Sequence, residues 1–462
     1  MKLRNHIILA AAAGVALLSA TSCGIYGKFK MPTDTPLTAE YAEAKKAEID
    51  STAFGNLRWQ EVFTDPVLVD LIYQALDNNK DLANAKLNVD IAHAQLLGAK
   101  LSYLPSLALT PNGAGAKYAD NPFGWTYQLP LAASWEIDIF GKTLNTKRGA
   151  AAAYRQAQDY RQAVRSQIIA AVANTYYTLA ALESQLALNR RTAQLWEENV
   201  KTMKDFKLAG RVNEAAVVQS SAQYYSILAS ITELEVSLHQ MNNTMSLLMN
   251  VMPQTWVVTP DADLTAPEIL REAIPMRELA ARPDVRAAEE SLAAAYYTTA
   301  GARAAFYPGL SITANGGFTN LLGSMIVNPG DWFVQLAGSL TAPLFSRGAN
   351  ISRLKAAKAQ QEQAMNNFQY ALLNASAEVS EAMTVYEQSV RKTEFLTKQV
   401  ADLQKSVDIT EELLSLGGTN TTYLEVLTAQ QSLLGAQMSE IACRRTRAQA
   451  LVNLYQALGG GR

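Results

Sequence analysis

Glu136 and Asp138 form the pair of residues in this sequence that most resembles a catalytic pair of carboxylates. Two carboxylates can act as general acid and general base when their environments hold their pKa values apart. Here the two residues lie two apart in a segment in which apolar and polar residues alternate. A strand would therefore place both on one polar, water-facing side. We predict no acid–base catalysis at this pair and no enzyme activity for the chain.

The remaining metal-ligating and nucleophilic residues are few and scattered. A structural zinc site needs about four Cys or His ligands close together, and the chain has 2 Cys and 3 His without that spacing. His93 and His239 lie far apart on predicted helices, where surface or packing roles are expected. Cys443 lies on the last predicted helix and is interpreted as a small packing residue. The sequence predicts no metal site and no cofactor.

The N-terminus has the pattern of an export signal. Lys2 and Arg4 precede an unbroken apolar run, Ile7 to Leu18, and small residues follow up to Cys23. The pattern resembles a bacterial lipoprotein signal, in which the cysteine becomes the lipid-modified first residue, although Ala20 stands where that pattern prefers Leu. Ordinary signal cleavage beside a stray cysteine is the alternative. Lipidation of Cys23 would hold the mature N-terminus on a membrane.

Composition and charge exclude two further classes of protein. Of the 462 residues, 49% are apolar and 18% are charged, which is unlike a disordered chain. Lys and Arg number 40 against 42 Asp and Glu, so no basic excess exists to neutralise phosphates. We predict that nucleic acid is not a partner.

The chain is internally duplicated, with an offset of about 205 residues. The segment LLGAKLSYLPSLALT around Pro105 corresponds to TAGARAAFYPGLSIT around Pro308. WEIDIFGK, ending at Lys142, corresponds to LTAPLFSR, ending at Arg347. Farther along, KLAGRVNEAAVVQ corresponds to SLGGTNTTYLEVL. Each half is predicted to contain a helix, a proline, two strands joined by a turn, a long helix, a Gly turn and a helix.

Two long helices are predicted, from about Thr146 to Lys207 and from about Ile351 to Leu416. Both stretches lack Pro and are rich in good helix formers. At 1.5 Å per residue, 60 residues make a rod of about 90 Å, which must pack beside others. Apolar residues from Tyr224 to Met252 alternate three and four apart, which is typical of a coiled-coil seam. A soluble four-helix bundle would also satisfy these helices.

Four segments have the period-two alternation of strands. Three are clear: Trp125 to Ile139, with Pro130 as a misfit; Leu310 to Thr319; and Trp332 to Leu344. The fourth, near Leu107 and Leu109, is weaker and fades into PNGAG. Transmembrane strands need about 9–11 residues, apolar outside and polar inside, and their aromatic residues lie near the interfaces. A soluble sandwich is the alternative. The predicted lipid-facing residues are Trp125, Tyr127, Trp135, Leu310, Ile312, Trp332, Val334 and Leu336.

The number of strands decides the architecture. An unpaired strand edge cannot lie in hydrocarbon, and the smallest closed membrane barrels have about eight strands. One chain supplies four. Several copies must therefore each contribute two hairpins to one barrel, and the long helices must extend to one side as a tube.

These features resemble the TolC-like outer-membrane factors, in particular the lipoprotein branch that serves resistance–nodulation–division (RND) efflux pumps. The most specific stretches are RWQEVFTDPVLVDLIYQALDNNKDLANA, RPDVRAAEESLAAAYYTTAGARAAFYPGLSIT, SWEIDIFGK and YLEVLTAQQSLLGAQ. The resemblance implies an α+β membrane protein, a homotrimer whose four strands per chain form a twelve-stranded β-barrel above a coiled-coil α-helical barrel in the periplasm. It also implies a passive exit duct for small molecules such as drugs, detergents or metal ions. Its partners would be an inner-membrane RND pump and a periplasmic adaptor.

The resemblance also implies a division of the chain. Residues 1–22 would be the lipoprotein signal and residues 23–65 a lipid-anchored segment with part of an equatorial region. Residues 66–252 and 282–462 would be the two repeats, and residues 253–281 a linker that belongs to the equatorial region.

The resemblance implies that helical turns at the inner tip contact the adaptor and that side chains there constrict the channel. Just beyond these turns, acidic residues of the family often face the constriction. The gate candidates are Glu425 and Thr428, the latter where Asp is common in the family. We expect a ring of Glu425 copies to give a mild cation preference, because carboxylates in a narrow pore concentrate cations. A merely solvated Glu425 is the alternative. The adaptor-contact candidates are Gly210, Arg211, Glu214, Gly418 and Asn420.

Two other functions stay open from the sequence. The same duct could serve a type I protein-secretion system, or the chain could be a periplasmic coiled-coil adaptor without a pore. An adaptor would leave the aromatic-rimmed strands unexplained.

Overall fold

The computed structural model describes residues 26–46, 54–117, 119–120, 122–260, 262, 276–319, 331–415 and 423–461. Cys23, Gly418 and Asn420 lie outside these residues. The elements in chain order are α1 (Pro36–Ala44), α2 (Trp59–Val62), α3 (Pro66–Asn78), α4 (Lys80–Leu101), β1 (Ser106–Leu109), β2 (Asn112–Ala116), β3 (Gly124–Ile137), α5 (Lys142–Leu208), α6 (Glu214–Leu248), α7 (Met276–Ala280), α8 (Pro283–Ala304), β4 (Gly309–Thr319), β5 (Asp331–Thr341), α9 (Ala349–Ser415) and α10 (Tyr423–Ala457).

The predicted duplication is confirmed by the lengths of the helices. Helices α4 and α8 each span 22 residues, α5 and α9 each span 67, and α6 and α10 each span 35. The predicted α+β class, with helices and one antiparallel sheet, is confirmed as well. Helix α5 begins four residues before its predicted start because the Asp138 carboxylate accepts a hydrogen bond, 2.7 Å long, from the Leu144 amide in the first turn.

The chain folds as two compact units, each of which takes segments from both repeats. Among the described residues, the sheet unit comprises those up to Ala39 and those within Leu87–Asp159 and Arg286–Tyr370. The helical unit comprises the described residues within Glu40–Lys86, Tyr160–Val285 and Ala371–Arg462. The predicted boundaries of the two repeats therefore describe the duplication of the sequence. As limits of domains they remain predictions. No helix in the described part of the chain combines the length and the apolarity that a membrane crossing requires.

The sheet unit contains one antiparallel sheet in the order β1-β3-β4-β5, with β2 also paired to β3. Strands β1 and β2 occupy the same side of β3, so that the sheet has four strand positions. Ile137 of β3 pairs with Leu310 of β4, and Gly309 of β4 pairs with Thr341 of β5. The sequence therefore predicted the number of strand positions correctly. Strand β3 ends at Ile137, two residues before its predicted end.

The prediction that the first strand fades at PNGAG was wrong. Strand β2 resumes at Asn112, and its Gly113 and Gly115 pair with Tyr127 and Trp125. A Cβ atom on Gly115 would lie 2.6 Å from the ring of Phe123. The glycines remove the side-chain alternation by which a strand is recognised, but they leave the backbone pairing intact and make room for the rings.

Pro130, the misfit of the sequence pattern, lies inside β3 opposite Gly317 of β4. A Cβ atom on Gly317 would lie 2.1 Å from the Leu129 carbonyl oxygen, so only glycine allows this approach of the two strands. On the other side, the Pro130 carbonyl accepts a hydrogen bond from the Thr110 amide at 3.1 Å. Proline is tolerated here because glycine opposite it compensates for the distorted backbone.

The helical unit contains a hydrogen-bond network around Tyr176 of α5. The Tyr176 hydroxyl donates to the Asp65 carboxylate at 2.5 Å, and the Thr259 amide donates to the same hydroxyl oxygen at 3.0 Å. Burial and the Asp65 hydrogen bond raise the pKa of Tyr176 to about 12. Asp65 also caps α3 through the Val67 amide. This single phenol therefore holds both the start of α3 and the linker after α6 against α5.

The seam predicted on α6 is present along the helix. Ile227 and Met245 are buried, whereas Met252 lies past the helix end at Leu248 and is 84% exposed. The predicted seam therefore loses its last member and ends at Leu248.

Candidate functional site

The strand register separates the sheet into one apolar and one polar face. Trp135 pairs with Ile312, Ala133 with Ala314, and Ala314 in turn with Leu336, so apolar residues adjoin apolar residues across the sheet. The large side chains of this apolar face are Leu107, Leu109, Trp125, Tyr127, Leu129, Leu131, Trp135, Ile137, Leu310, Ile312, Phe318, Trp332, Val334, Leu336 and Leu340.

The opposite face carries small polar residues. Ser134 pairs with Thr313, and Asn315 pairs with Gln335. The hydroxyls of Ser311 and Ser339 are 2.7 Å apart. The sheet thus has the two faces that a wall between hydrocarbon and water requires.

All eight residues predicted to face lipid lie on the apolar face. Trp125 and Trp135 are exposed, and Trp332, Val334 and Leu336 are 75%, 73% and 74% exposed. Tyr127, Leu310 and Ile312 are half-buried. A contiguous apolar surface of this kind marks an interaction with another protein or with a membrane, because leaving it in water is unfavourable.

In the helical unit, the turn between α5 and α6 has the hydrogen bonds of a Schellman motif. The Arg211 amide donates to the Phe206 carbonyl at 2.8 Å, and the Gly210 amide donates to the Lys207 carbonyl at 3.0 Å. Gly210 has φ of 70°, the left-handed conformation for which the sequence supplied glycine. The turn is therefore a fixed structure and not an open loop.

The charged side chains at this turn form contacts with other residues of the same turn. The Lys207 ammonium forms an ion pair with the Glu214 carboxylate, and the Arg211 guanidinium lies 5.8 Å from the centre of the Phe206 ring. The Asn213 side chain caps α6 by accepting from the Ala216 amide at 3.2 Å. Of the five adaptor-contact candidates, the structure places Gly210, Arg211 and Glu214 on this one turn.

Tyr423, the first residue of α10, connects three helices and was missed in the sequence. Its hydroxyl donates to the Asn199 side-chain oxygen of α5 at 2.7 Å and lies 2.9 Å from the Ser220 hydroxyl of α6. Burial raises the pKa of Tyr423, although its hydrogen bonds to Ser220 and Asn199 oppose this. One feature of the sequence could have indicated this role, namely a tyrosine at the predicted start of a helix. The hydroxyl of a buried tyrosine usually needs a hydrogen-bond partner.

The same three helices share a hydrophobic cluster near the turn. Its buried members are Ala193, Trp196, Met203, Val217, Ile227, Tyr423 and Leu427. This tip cluster combines α5 and α6 of the first repeat with α10 of the second. A change in the position of α10 must therefore disturb the packing of the α5–α6 turn.

The two gate candidates lie together in the first turns of α10. Glu425 and Thr428 are both exposed and three residues apart, so they share one face of the helix. The Thr428 hydroxyl donates to the Leu424 carbonyl at 2.8 Å. The neighbouring Val426 and Leu427 are buried. The carboxylate of Glu425 thus points away from the tip cluster and towards solvent in the single chain.

The structure also locates the residues considered for chemistry. Glu136 forms an ion pair of 2.8 Å with Lys142. The prediction that Asp138 shares its strand face was wrong, because β3 ends at Ile137 and Asp138 caps α5. His93 and His239 are exposed, and Cys443 is buried with its thiol directed at the Ser389 carbonyl. Among the described residues, no group of three or more His, Cys, Asp or Glu could hold a metal ion.

Comparison with known proteins identifies the family. The family model described as outer membrane efflux protein matches residues 71–251 and 274–460. A Salmonella typhimurium protein described as "Probable outer membrane lipoprotein SilC" is 28% identical over 411 residues, which cover 87% of this chain and 88% of that protein. The cation efflux system protein CusC of Escherichia coli strain K12 is 26% identical over 456 residues, covering 96% of this chain and 97% of CusC.

A solved structure agrees over nearly the whole chain. The open state of the Neisseria gonorrhoeae MtrE outer membrane channel superposes with a TM-score of 0.78 at 27% identity, covering 94% of this chain and 97% of MtrE. The amphipathic sheet and the duplicated long helices are thus those of a known channel fold. The chain belongs to the outer membrane efflux protein family, and it is an outer-membrane efflux channel.

Proposed function

We propose that three copies of this chain close their sheets into one twelve-stranded barrel, with the apolar face towards lipid and the polar face towards a water-filled lumen. Among the described strands, β5 has a neighbour only in β4, and β1 and β2 have one only in β3. These two edges carry unpaired backbone groups, which hydrocarbon does not tolerate.

The order of strand directions supports closure by copies. Each neighbouring pair in the sheet is antiparallel, so β1 and β5 run in opposite directions. The β5 edge of one chain can therefore continue antiparallel pairing with the β1 edge of the next. Four strand positions per chain give an even total for any number of copies, as antiparallel closure requires. The number three comes from the resemblance noted above.

The helices would then enclose a periplasmic tunnel, with the α5–α6 turn at the end that meets a periplasmic adaptor. The Schellman turn at Gly210 and the ion pair between Lys207 and Glu214 support this, because they hold polar groups in fixed positions at an exposed tip. An inner-membrane pump of the RND type would supply the energy. The duct itself is passive. Gly418 and Asn420 are proposed for the equivalent turn of the second repeat.

The cargo is proposed to be small solutes. The names of the relatives include cation efflux, toluene efflux and pyoverdine export, so the family spans several chemical classes. A wide duct selects little, and the pump would choose the cargo. Cys23 is proposed to carry lipid that anchors the mature N-terminus. The mass of the N-terminal peptide tests this, and an unmodified cysteine would refute it.

The experiment for the proposed function combines a deletion strain with the purified protein. Loss of the chain should sensitise cells to antibiotics, dyes, bile salts or metal ions, and the full-length gene should restore resistance. The detergent-purified protein should have the mass of three chains and should conduct ions in planar bilayers. A water-soluble monomer without conductance would refute the duct. Unchanged solute sensitivity with loss of a secreted protein would favour type I secretion.

Glu425→Gln is expected to lower the cation preference of the channel. Three copies of a carboxylate in a narrow passage concentrate cations within about one Debye length, roughly 8 Å at physiological salt. We expect the cation-over-anion permeability ratio, measured from reversal potentials in planar bilayers, to fall severalfold. Thr428→Asp should raise the ratio, because residue 428 lies on the same exposed face of α10.

Glu233→Gln is the matched control for this measurement. It removes an exposed carboxylate from the middle of α6 and not from the first turn of α10. It should leave the permeability ratio unchanged. Equal ratios for Glu425→Gln and the unmodified channel would show that Glu425 is simply solvated.

A further inference from the structure

Each of the four places where a strand of the sheet meets a helix carries a basic residue with an aromatic residue two or three positions away. In the first repeat these are Lys100 with Tyr103, and Lys142 with Phe140. In the second repeat they are Arg303 with Phe306, and Arg347 with Phe345. We refer to these eight residues as the junction pairs. The spacing is the same in both repeats, with three residues from Lys100 to Tyr103 as from Arg303 to Phe306, and two from Phe140 to Lys142 as from Phe345 to Arg347.

The register places all four junctions at one end of the sheet. Strand β3 ends where β4 begins, since Ile137 pairs with Leu310, and β5 ends opposite the start of β4. Strand β1 begins at Ser106, which pairs with Ser134, three residues before the end of β3. The junction pairs therefore lie just beyond one end of the sheet, which is the end from which the helices leave. They adjoin the apolar face at that end.

The junctions are basic although the chain is not. The segments 98–106, 136–148, 301–309 and 341–350 contain six Lys or Arg and two Asp or Glu, whereas the whole chain has a formal net charge of -2. Both acidic residues are engaged, Glu136 with Lys142 and Asp138 with the amide of Leu144. Lys147 and Arg148 are engaged as well, since Lys147 lies over the Tyr103 ring at 5.5 Å and Arg148 donates to the Tyr26 carbonyl at 2.9 Å.

Three of the basic residues are without a side-chain partner in the part of the chain that the structure describes. Lys100, Arg303 and Arg347 are exposed, and none forms an ion pair or a side-chain hydrogen bond with any residue that the structure describes. Their aromatic neighbours are also accessible, since Phe306 is 43% exposed and Phe345 is 87% exposed.

The stability of the helices accounts for only part of this placement, because Lys100 and Arg303 lie in the last turns of α4 and α8, where the helix dipole favours a cation. Lys142 is the first residue of α5, and Arg347 lies two residues before α9. A positive charge at a helix N-terminus opposes the helix dipole. Arg347 also has φ of 51°, a conformation that is unfavourable for a residue with a side chain and natural for glycine. The ion pair with Glu136 compensates Lys142 for its position, whereas Arg347 is exposed and has no such partner among the described residues. The placement of Arg347 therefore points to a ligand outside the chain.

We propose that the junction pairs bind the headgroups of anionic phospholipids at the helix-side surface of the membrane. An aromatic ring at the interface places its apolar body among acyl chains, and the adjacent cation reaches the phosphate. Clusters of basic residues next to a membrane-spanning segment attract anionic lipid in this way. The inference rests on the proposed position of the sheet in a membrane.

The test measures lipid preference by electron paramagnetic resonance. The full-length protein is placed in phosphatidylcholine vesicles that contain a trace of spin-labelled phosphatidylglycerol or spin-labelled phosphatidylcholine. The fraction of immobilised label gives the relative affinity of the protein surface for each lipid. We expect a preference for phosphatidylglycerol of about fivefold at low ionic strength, the factor for one basic residue beside one anionic headgroup. High salt should reduce it.

The variant Lys100→Gln/Arg303→Gln/Arg347→Gln should bring this preference close to one. The control Lys204→Gln/Lys398→Gln/Lys405→Gln removes the same charge from exposed positions on the long helices and should keep the preference. Retention of the preference in the junction variant, or its loss in the control alone, would overturn the proposal. Absence of any immobilised lipid, even phosphatidylcholine, would instead refute the proposed membrane position of the sheet.

Discussion

Leu336→Arg is expected to abolish most of the assembled protein in the outer membrane. Leu336 lies at the middle of β5, on the apolar face, beside Ala314 of β4. An arginine on the lipid face at the bilayer midplane costs about 2–4 kcal/mol per chain. Since about 1.4 kcal/mol is a factor of ten, each chain should shift roughly a hundredfold towards the non-inserted state. The heat-resistant oligomer in outer-membrane fractions measures the effect.

Gln335→Arg is the control, because residue 335 is the adjacent position on the polar face, beside Asn315. There an arginine would extend into water, and we expect oligomer levels within about twofold of the unmodified protein because surface substitutions usually change stability by less than 0.5 kcal/mol. The comparison varies the side of the sheet and leaves the strand, the depth and the new residue almost the same. Equal tolerance of both arginines would contradict the assignment of the apolar face to lipid.

The long helices and the duplication could be predicted from the sequence because their evidence is repeated many times along the chain. Helix α5 was predicted to within four residues at its start, and the remaining error came from one side-chain cap at Asp138. A cap is a contact between a loop and a helix end, and its effect is not visible in helix propensity. Periodicity thus gives the body of a helix, and individual polar contacts fix its ends.

The strands in which apolar and polar side chains alternate were predicted correctly. Strand β2 was missed because its glycines have no side chains and its sequence therefore has no alternation. Strand β2, with the sequence NGAGA, has no apolar pattern, yet it pairs with β3 over its full length. Its two glycines pair with the aromatic residues Tyr127 and Trp125 of the neighbouring strand. Such a strand is specified by its partner, and no window of its own sequence contains that information.

At the candidate site, the contacts that the sequence failed to predict were mainly polar contacts between residues far apart in the chain. Tyr423 is separated by 224 residues from Asn199 and by 203 from Ser220. The buried turn after α10 is a second example, in which Gln162 donates to the Gly461 carbonyl at 2.8 Å and the Ser166 hydroxyl bonds to the Gly460 carbonyl. Each partner alone is an ordinary polar residue on a helix or in a Gly-rich tail. Only the fold brings them together.

A third long-range contact, at Arg282, has consequences for stability. The guanidinium is 5% exposed and donates to the Ala457 carbonyl at 2.6 Å, to Asp284 at 2.7 and 3.0 Å, and to Glu378 at 2.6 Å. One side chain thus joins the starting turn of α8, helix α9 and the end of α10. Burial lowers the pKa of Arg282, but hydrogen bonds to Asp284 and Glu378 outweigh it and raise the pKa overall. The group is therefore a permanent cation.

Arg282→Ala is expected to lower the free energy of unfolding by about 3 kcal/mol. Removing one member of a buried ion pair costs about 3–5 kcal/mol, and the lower end applies because the side chains of Asp284 and Glu378 are each 46% exposed and can recover water. The Ala457 carbonyl at the C-terminus of α10 would lose its donor as well. Urea unfolding of the detergent-purified protein, followed by circular dichroism at 222 nm, measures the change.

Arg190→Ala serves as the control, because Arg190 forms an ion pair with Glu235 in which both side chains are about half exposed. Exposed pairs contribute about 0.2–1 kcal/mol, so its unfolding curve should be almost unchanged. Arg282→Lys should fall between the two, since lysine keeps the charge and loses the paired hydrogen bonds to Asp284. If Arg282→Ala destabilised the protein no more than Arg190→Ala, the three helices would be held together without Arg282. In that case the packing of α10 would have to account for the whole stability of this junction.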